Sequence, residues 1–436
     1  MRKVFLSFLG LGSFDKEQNK FAYRETVYEW QGKVSAITEF VQVAEQELLG
    51  LDYFDNLYIV VTRKSYEAHF SSLKKQLQQC RGKIETILLE EEMNNGGQWK
   101  WFEAIFRKIE QNDRLSVDLT HGYRSIPIIF STAVNFLQKT KNIELAHVFY
   151  GAFEEKQEVT PLINMNAFFD VNVWADGVTT LTNNADASGI ARAASKTDRH
   201  QFPELTEKNF QALCIEVTKR FKSVDMNNIS QETNKLLHQI EKMKQQCSPE
   251  SAILLDLISK KFSTLEDHEC GNPDKNGYSL KFFETQLEFI RLLLDHALFM
   301  QAFTVMREWL ASLVMLHFEK EKMKTGKRRK RVQRYGIVFF NMLQFKKEDW
   351  DFPEKTVEKL KRIEPFYDAL AQAKVIEPLF QSDPPVAKKL STYRNGFDHA
   401  WQGKSGMKND IEQQGRIFLE TLEEIMARLH HFLDKS

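Results

Sequence analysis

The sequence predicts an α/β domain with a doubly wound, mostly parallel sheet, followed by an all-α domain. First, short β-rich runs alternate with helical periodicity over about the first 165 residues. Second, several of these runs are apolar nearly throughout, as strands buried on both faces of a sheet are. Third, strand signals nearly vanish from Phe202 onward, where long segments have 3.6-residue periodicity. Strands that alternate with helices imply right-handed crossovers between parallel strands.

Five runs predict strands, and four amphipathic segments between them predict helices. The predicted strands are Lys3 to Leu9, Leu57 to Thr62, Lys83 to Leu89, Leu115 to Thr120 and Ile143 to Tyr150. The predicted helices are Thr38 to Leu49, Tyr66 to Gln79, Gln98 to Ile109 and Ile126 to Lys139. The small, polar stretch from Trp174 to His200 predicts a boundary loop or mobile lid. We therefore expect a first domain at residues 1–180, a boundary loop and helical connector at 181–275, and a helical domain at 276–436.

Composition excludes some classes of protein. Sixty basic and sixty acidic residues cancel, so only local clusters can indicate a polyanionic partner. No run of 18 apolar residues occurs, so we expect no membrane span. The apolar N-terminal run breaks at Gly10 and Gly12, which favours a buried strand over a signal peptide. The four cysteines are scattered without zinc spacing, which predicts no metal site and a cytoplasmic protein with reduced thiols.

The loop FLGLGSFD follows the first predicted strand. Gly10 and Gly12 allow a close approach of a ligand to the backbone, and Ser13 offers a hydroxyl. The loop is neither a GxGxxG motif nor a P-loop, so a tight turn is an equally good interpretation. Ligands of doubly wound sheets bind beyond the carboxyl ends of the strands, where this loop lies.

The loop DLTHGYRSIP is more informative. A strand ends at Thr120, and the turn that follows contains His121, Gly122 and Arg124. Ser125 can cap the next helix, whose free N–H groups, flanked by Arg and His, form an anion pocket. A capped turn with surface charges is the alternative. Two such loops near the middle of one sheet favour a ligand site.

The segment STYRNGFDHAW, near the C-terminus, has an arginine, an aspartate and a histidine close together in sequence. On an ordinary helix face, Arg394 and Asp398 are an i,i+4 ion pair and His399 is incidental. At a phosphodiester site, Arg394 holds the phosphate and His399 transfers protons. On a straight helix the two residues differ by about 140° and about 7.5 Å. They converge on one phosphate only if Gly396 places the segment at a helix entry, or if a second subunit supplies a matching pair.

The stretch DLTHGYRSIP, together with FLGLGSFD and FAYRETVYEW, resembles the CARF ligand-sensing domains of type III CRISPR accessory proteins. The resemblance covers roughly residues 1–175 and implies a Rossmann-like fold that pairs as a dimer and binds a cyclic oligoadenylate across the two-fold axis. It also implies which residues contact that ligand. The ring size of the ligand, and whether this domain cleaves it, stay open. The implied contacts are Ser13 with the backbone near Gly10 and Gly12, and Thr120, His121, Gly122 and Arg124 at the phosphates or adenines.

Proteins of that family commonly continue into an α-helical HEPN domain with an Arg-x4–6-His motif, which Arg394 to His399 resembles. The resemblance implies a composite cleft between two copies, hence a homodimer, with a higher oligomer left open. In that cleft the 2′-OH of single-stranded RNA attacks the phosphate without a metal. His399 transfers protons, Arg394 stabilises the transition state, and Asn395 orients the phosphate or His399. Asp398 either tunes His399 or pairs with Arg394.

The resulting hypothesis is an endoribonuclease of type III CRISPR antiviral defence that a cyclic oligoadenylate activates allosterically and that leaves 2′,3′-cyclic phosphate ends. Two alternatives stay open: a non-catalytic oligoadenylate sensor, and a ring nuclease that degrades the activator. The basic run Lys320 to Arg334 either attracts an RNA backbone or is a solvated loop. Glu308 could reach the RNA site, although its helix is mostly core or interface.

Overall fold

We describe the protein from a computed structural model. It describes residues 1–16, 19–89, 95–121, 126–154, 157–196, 202–226, 228–266, 277–319, 330–402 and 410–434. The chain divides into two compact units, Met1–Val173 and Trp174–Ser436. The three-part division into 1–180, 181–275 and 276–436 stays a prediction.

The first unit is built on an eight-stranded sheet. Its strands, with the small hairpin β2–β3, are β1 (Lys3–Leu9), β2 (Ser13–Asp15), β3 (Lys20–Ala22), β4 (Val27–Trp30), β5 (Lys33–Val34), β6 (Asn56–Thr62), β7 (Lys83–Leu89), β8 (Arg114–Asp118), β9 (Glu144–Gly151) and β10 (Val159–Asn164). The order across the large sheet is β5-β4-β10-β9-β8-β1-β6-β7. The run from β9 to β7 is parallel throughout. The predicted mostly parallel α/β sheet is therefore confirmed.

Helices fill the crossovers of this sheet. They are α1 (Val41–Leu49), α2 (Arg63–Ser65), which continues through a π-helical turn (Tyr66–Phe70) into α3 (Ser71–Gln76), then α4 (Asn95–Lys108) and α5 (Ile126–Thr140). Successive residues of β1 enter two different cores: Leu6 packs among the residues of β8, α4 and α5, and Phe5 packs against β6 and α3. Burial on both faces explains why β1 is apolar along its whole length.

The strand β10 and the short strands β4 and β5 were not predicted from sequence. β10 pairs antiparallel with β9 and parallel with β4, and it contains Pro161. Proline lacks the N–H that a sheet ladder needs and is rare inside strands, so this residue argued against a strand here. The strands β4 and β5, at one end of the sheet, are only four and two residues long, too short to show a clear period.

The prediction of a boundary loop or lid from Trp174 to His200 is wrong for the residues that the structure describes. Two helices, α6 (Asn166–Asn184) and α7 (Ser188–Lys196), occupy this stretch, and 197–200 lie outside the described residues. Trp174 is completely buried. The segment is ordered by packing that its composition did not indicate.

Small residues explain the wrong prediction. A Cβ added to Gly177 would lie 2.9 Å from the backbone oxygen of Gly189, so the two helices touch at their glycines. Ala193 on the second helix and Ala187, just before it, are also buried. We interpreted the small residues as a loop signal, whereas here they allow the helices to approach closely. A composition rich in Gly and Ala fits either structure.

The described residues of the rest of the second unit form helices and the turns that connect them. Its helices are α8 (Lys208–Lys222), α9 (Ile229–Lys244), α10 (Pro249–Phe262), α11 (Leu280–Asp295), α12 (Phe299–Ser312), α13 (Met315–Glu319), α14 (Ile337–Met342), α15 (Val357–Gln372), α16 (Val386–Asp398) and α17 (Ile411–Leu433). No strand occurs in the described residues from Phe202 onward, as predicted. Among the described helices, none is long and apolar enough to cross a membrane. The cytoplasmic location stays a prediction.

Two candidate functional sites

The first candidate site lies where the neighbouring parallel strands β1 and β8 end. A Cβ added to Gly10 would lie 3.0 Å from the backbone oxygen of His121, so the loops after the two strands touch through their backbones. Gly12 has a φ of 73°, and a Cβ there would overlap the oxygen of Ala22 at 2.4 Å. Only glycine fits this position without strain. Ser13 begins the exposed hairpin that follows.

The loop after β8 is described as far as His121, while Gly122 and Arg124 lie outside the described residues. Thr120 is held from two sides. Its N–H donates to Asp118 Oδ1 at 2.9 Å, and its Oγ1 accepts from the N–H of Gly151 at 2.8 Å. The hydroxyl of Thr120 therefore links β8 to β9 and sets the path of the loop.

His121 belongs to a cluster of three rings. Its ring centroid lies 4.5 Å from that of Tyr23, which in turn lies 4.9 Å from His69. His69 Nε2 is 2.9 Å from the backbone oxygen of Leu11 and so contacts the first loop. Burial lowers the pKa of His121, with Asp118 opposing and His69 adding to the effect. The imidazole is therefore neutral at pH 7.

Two polar atoms of this cluster are buried with little or no hydrogen bonding. His121 Nε2 has no partner within the described residues, and Tyr23 Oη has only a weak contact with the backbone of Gly10. Burial, with the charge of Asp118 second, raises the pKa of Tyr23, so its hydroxyl keeps its proton. A neutral imidazole and a phenol can each donate to or accept from a ligand. No motif in the sequence singled out Tyr23 or His69, although Tyr23 lies in the stretch FAYRETVYEW.

A buried polar network lies beneath the loops. Asp118 is completely buried, and its Oδ2 accepts from Ser7 Oγ at 2.6 Å. Gln42 Nε2 on α1 donates to Ser7 Oγ at 2.9 Å and to the Phe8 oxygen at 3.1 Å. Burial raises the pKa of Asp118, while His121 and the hydrogen bonds from Ser7 and Thr120 oppose the shift. The network ties the ends of β1 and β8 to α1.

Glu45 on α1 lies in the same interior. It is completely buried, and neither carboxylate oxygen has a hydrogen-bond partner in the described part of the chain. Burial, followed by the charge of Asp118, raises its pKa well above the ordinary value of 4.5. An ion without a partner is costly in a low-dielectric interior, so the fold favours the protonated carboxyl. No pattern in the sequence pointed to this residue.

The second candidate site is the C-terminal end of α16. Arg394 and Asn395 lie in its last turns, and His399 is the first residue beyond it. The backbone then turns through the left-handed region at Ala400 and Trp401, with φ of 49° and 55°, and the Trp401 N–H donates to the Gly396 oxygen at 2.7 Å. The segment therefore lies at a helix exit. Of the two alternatives for convergence, a helix entry at Gly396 is therefore excluded, and a matching pair from a second subunit stays a prediction.

Gly396 has a different role at this exit. A Cβ on Gly396 would lie 2.4 Å from the ring of Trp401, so the indole occupies the space that a side chain would need. The ring of Phe397 packs against the same indole at 5.2 Å, and Tyr393 Oη donates to Asp410 Oδ1 at 2.6 Å. These contacts hold the backbone around Arg394 and His399 in one conformation.

The side chains of the motif differ in exposure. Arg394 Nη2 lies 3.4 Å from Asp398 Oδ2, with the two side chains 30% and 42% exposed. Arg394 Nε is buried and has no hydrogen-bond partner among the described residues. Asn395 and His399 are exposed. The i,i+4 ion pair therefore forms in the single chain, and the Nε–H of the guanidinium is a buried donor without a partner.

The secondary candidates are only partly described. Glu308 forms an ion pair with its neighbour Arg307 on α12, the helix that packs against α16. Of the basic run, residues 320–329 lie outside the described residues, and Arg331 lies over the ring of Phe318 at 4.7 Å. Within the described ranges, no group of three or more His, Cys, Asp or Glu side chains could hold a metal ion.

Comparison with known proteins gives one distant relative to report. No protein-family model matches the chain. The chain is similar to the CRISPR-associated protein MJ1674 of Methanocaldococcus jannaschii, with 21% identity over 192 residues. The match covers 42% of this chain and 30% of that protein, so the chain spans less than a third of the relative's length.

Proposed function

We propose that this protein is a CRISPR-associated, metal-independent endoribonuclease that a cyclic oligoadenylate activates. The similarity to a CRISPR-associated protein supports the biological context. The touching loops after β1 and β8, with the buried polar atoms of Tyr23 and His121 beside them, support a ligand site in the first unit. The observation that carries the proposal is the helix exit of α16, which places Arg394, with a 30% exposed side chain, close in sequence to an exposed His399.

The proposed cleavage uses the nucleophile of RNA itself. The 2′-oxygen forms a bond to phosphorus, the bond from phosphorus to the 5′-oxygen breaks, and the 5′-oxygen takes up a proton. The products are a 2′,3′-cyclic phosphate and a 5′-OH. His399 accepts or donates the proton, and Arg394 exchanges Asp398 for the phosphate and stabilises its growing negative charge. Asn395, exposed beside them, orients the phosphate.

Activation requires a coupling between the two sites. A cyclic oligoadenylate that binds two copies of the first unit must favour one arrangement of the helical units over another. We propose that the favoured arrangement brings the α16 ends of two copies together. Each copy then supplies one Arg394 and one His399 to a shared cleft for single-stranded RNA.

The test is cleavage of a fluorescent single-stranded RNA in excess EDTA with each cyclic oligoadenylate in turn. We expect cleavage with one activator, complete loss in His399→Ala, and retention in His431→Ala, an exposed histidine on α17 that serves as the matched control. Mass spectrometry of the products should find 2′,3′-cyclic phosphate ends. Cleavage that persists in His399→Ala, or that requires a divalent metal, would contradict the proposal.

The same experiment separates the two alternatives. A non-catalytic sensor binds an oligoadenylate but cleaves no RNA in any lane, so His399→Ala has no effect. A ring nuclease converts the activator to linear products, and this turnover survives His399→Ala because the residue is outside the first unit. Chromatography of the activator after each reaction distinguishes these outcomes.

A further inference from the structure

A cavity of about 510 Å³ lies beside the start of α16, the helix whose other end carries Arg394 and His399. Its walls come from the segment after α14, from the turn at residues 380–385 and from α16 itself. The volume lies within the range of small-molecule sites in proteins, about 300–1,000 Å³, and exceeds what one nucleobase needs. The whole cavity belongs to the second unit.

An exposed aromatic ring forms part of this cavity. Phe345 is 39% exposed, although a phenylalanine gains stability by leaving water. Lys388 Nζ on α16 lies 4.7 Å from the centroid of the ring. An accessible ring with an adjacent cation is the arrangement on which proteins stack bases of single-stranded nucleic acids.

The charges of the lining favour a neutral ring as occupant. Lys346 and Lys388 are balanced by Asp349 and Asp383, so the cavity has no excess of positive charge to attract a phosphate. Gln381 contributes an amide at the same lining. Amide and carboxylate groups hydrogen-bond to the edges of bases. The lining therefore suits a base better than a phosphate.

One face of α16 leads from the cavity to the candidate catalytic residues. Lys388, Thr392, Asn395 and His399 follow one another at spacings of four, three and four residues, which places them on one face. The first is half-buried and the other three are exposed. Eleven residues of helix span about 16 Å, a distance of a few nucleotides. Arg394 lies about 100° from Asn395 around the helix, at the side of this face.

We propose that this cavity is a nucleobase subsite of the RNA substrate, in which a base a few nucleotides from the scissile phosphate stacks on Phe345. The backbone of the strand follows the exposed face of α16 from Lys388 to His399. This inference rests on the proposed ribonuclease function and adds to it a site that selects the register of the bound strand.

The test measures binding of RNA by fluorescence anisotropy in a His399→Ala background, which prevents cleavage. Phe345→Leu keeps an apolar side chain but removes the stacking face, and we expect about tenfold weaker binding, the effect of one lost base stack. Phe345→Tyr should bind like the unmodified residue. Lys388→Ala should weaken binding, whereas the matched control Lys389→Ala, the next lysine of the helix and outside the cavity lining, should not.

Abasic RNAs identify the occupant. A single abasic ribose is placed at each position of the oligonucleotide in turn. At one position the missing base should weaken RNA binding about tenfold in the protein that keeps Phe345, but should leave binding by the Phe345→Leu variant unchanged. If the Phe345→Leu variant binds every RNA as tightly as the protein that keeps Phe345, the subsite is refuted, even if His399→Ala abolishes cleavage. If Phe345→Leu weakens binding but no abasic position does, the cavity has another occupant and the inference fails.

The two proposals fail separately. A protein that cleaves no RNA but shows one abasic position coupled to Phe345 retains the subsite and loses the nuclease function. Thermal unfolding of each variant confirms that it folds. If Phe345→Leu is unstable, Lys388→Ala with its control Lys389→Ala preserves the test, because Lys388 lies over the Phe345 ring.

Discussion

Glutamine at position 45 is expected to stabilise the first unit by an amount that grows with pH. Glu45 is completely buried, and its oxygens have no partner in the described residues. Its pKa is raised well above 4.5, mainly by burial. Above pH 4.5 the carboxyl loses its proton in the unfolded chain but keeps it in the fold. Because the folded state then binds more protons, the free energy of unfolding falls as pH rises.

The magnitude follows from proton linkage. Between pH 4.5 and the raised pKa of Glu45, each pH unit removes about 1.4 kcal/mol from the free energy of unfolding. Glutamine does not titrate, so Glu45→Gln removes this loss. From pH 5 to pH 7 the variant should gain at most about 2.7 kcal/mol relative to the natural residue. Below pH 4.5 both side chains are neutral, and their difference should stay constant.

Hydrogen exchange of the amides of β1, followed by mass spectrometry, measures this effect in the full chain. At each pH from 5 to 8 the same peptide is compared in Glu45→Gln and in the natural sequence, so intrinsic exchange rates cancel. Relative exchange should slow by up to tenfold per pH unit in the variant. Glu47→Gln, an exposed position on the same helix, is the control and should show no such trend. A ratio that does not change from pH 5 to 8 would refute the argument.

Three further substitutions test the two sites. Asp398→Asn should free Arg394 and raise RNA affinity about 1.4-fold to fivefold in anisotropy titrations, since exposed ion pairs contribute about 0.2–1 kcal/mol. Weaker binding would contradict this. Gly396→Ala should lower the melting temperature measured by calorimetry, because overpacking against the ring of Trp401 costs about 1–3 kcal/mol and exceeds the helix-propensity gain of about 1 kcal/mol. An unchanged melting temperature would contradict this prediction. Gly12→Ala should weaken cyclic oligoadenylate binding at least about tenfold in isothermal titration, because the backbone must shift by several tenths of an ångström to make room for the methyl group. The control Gly32→Ala, at a similar φ of 78° with open space around it, should bind the ligand normally. Equal binding by both variants would show that the Gly12 loop does not contact the ligand.

Much of the first unit could be predicted because its pattern is local. A strand such as β1, buried on both faces, is apolar along its length whatever surrounds it. The same reasoning missed the strand β10, which contains Pro161, and predicted a loop where the helices of Gly177 and Gly189 pack together. Their meaning depends on partners distant in sequence, since a proline or glycine is a turn signal only when no strand or helix packs against it.

The candidate sites could likewise be predicted only in part. The loops after β1 and β8 could be predicted as neighbours, because the carboxyl ends of parallel strands lie on one edge of a sheet. The contacts of Tyr23 with His121 and His69 could not, since Tyr23 follows the hairpin and His69 lies in the helical crossover after β6. The buried Glu45 was also unpredictable, because a glutamate on an amphipathic helix normally faces solvent.

The geometry of α16 bears on why two copies are needed in the proposed mechanism. Cleavage requires one group to take the proton of the 2′-OH and another to supply a proton to the 5′-oxygen. In one copy, this helix end carries the imidazole of His399 and an Arg394 that is already paired with Asp398. A second helix end brings a second imidazole, and a phosphate between the two can compete with both carboxylates. If heterodimers of the natural chain with His399→Ala lose nearly all cleavage, both imidazoles act on one phosphate. If they retain half, each copy acts alone and the composite cleft is wrong.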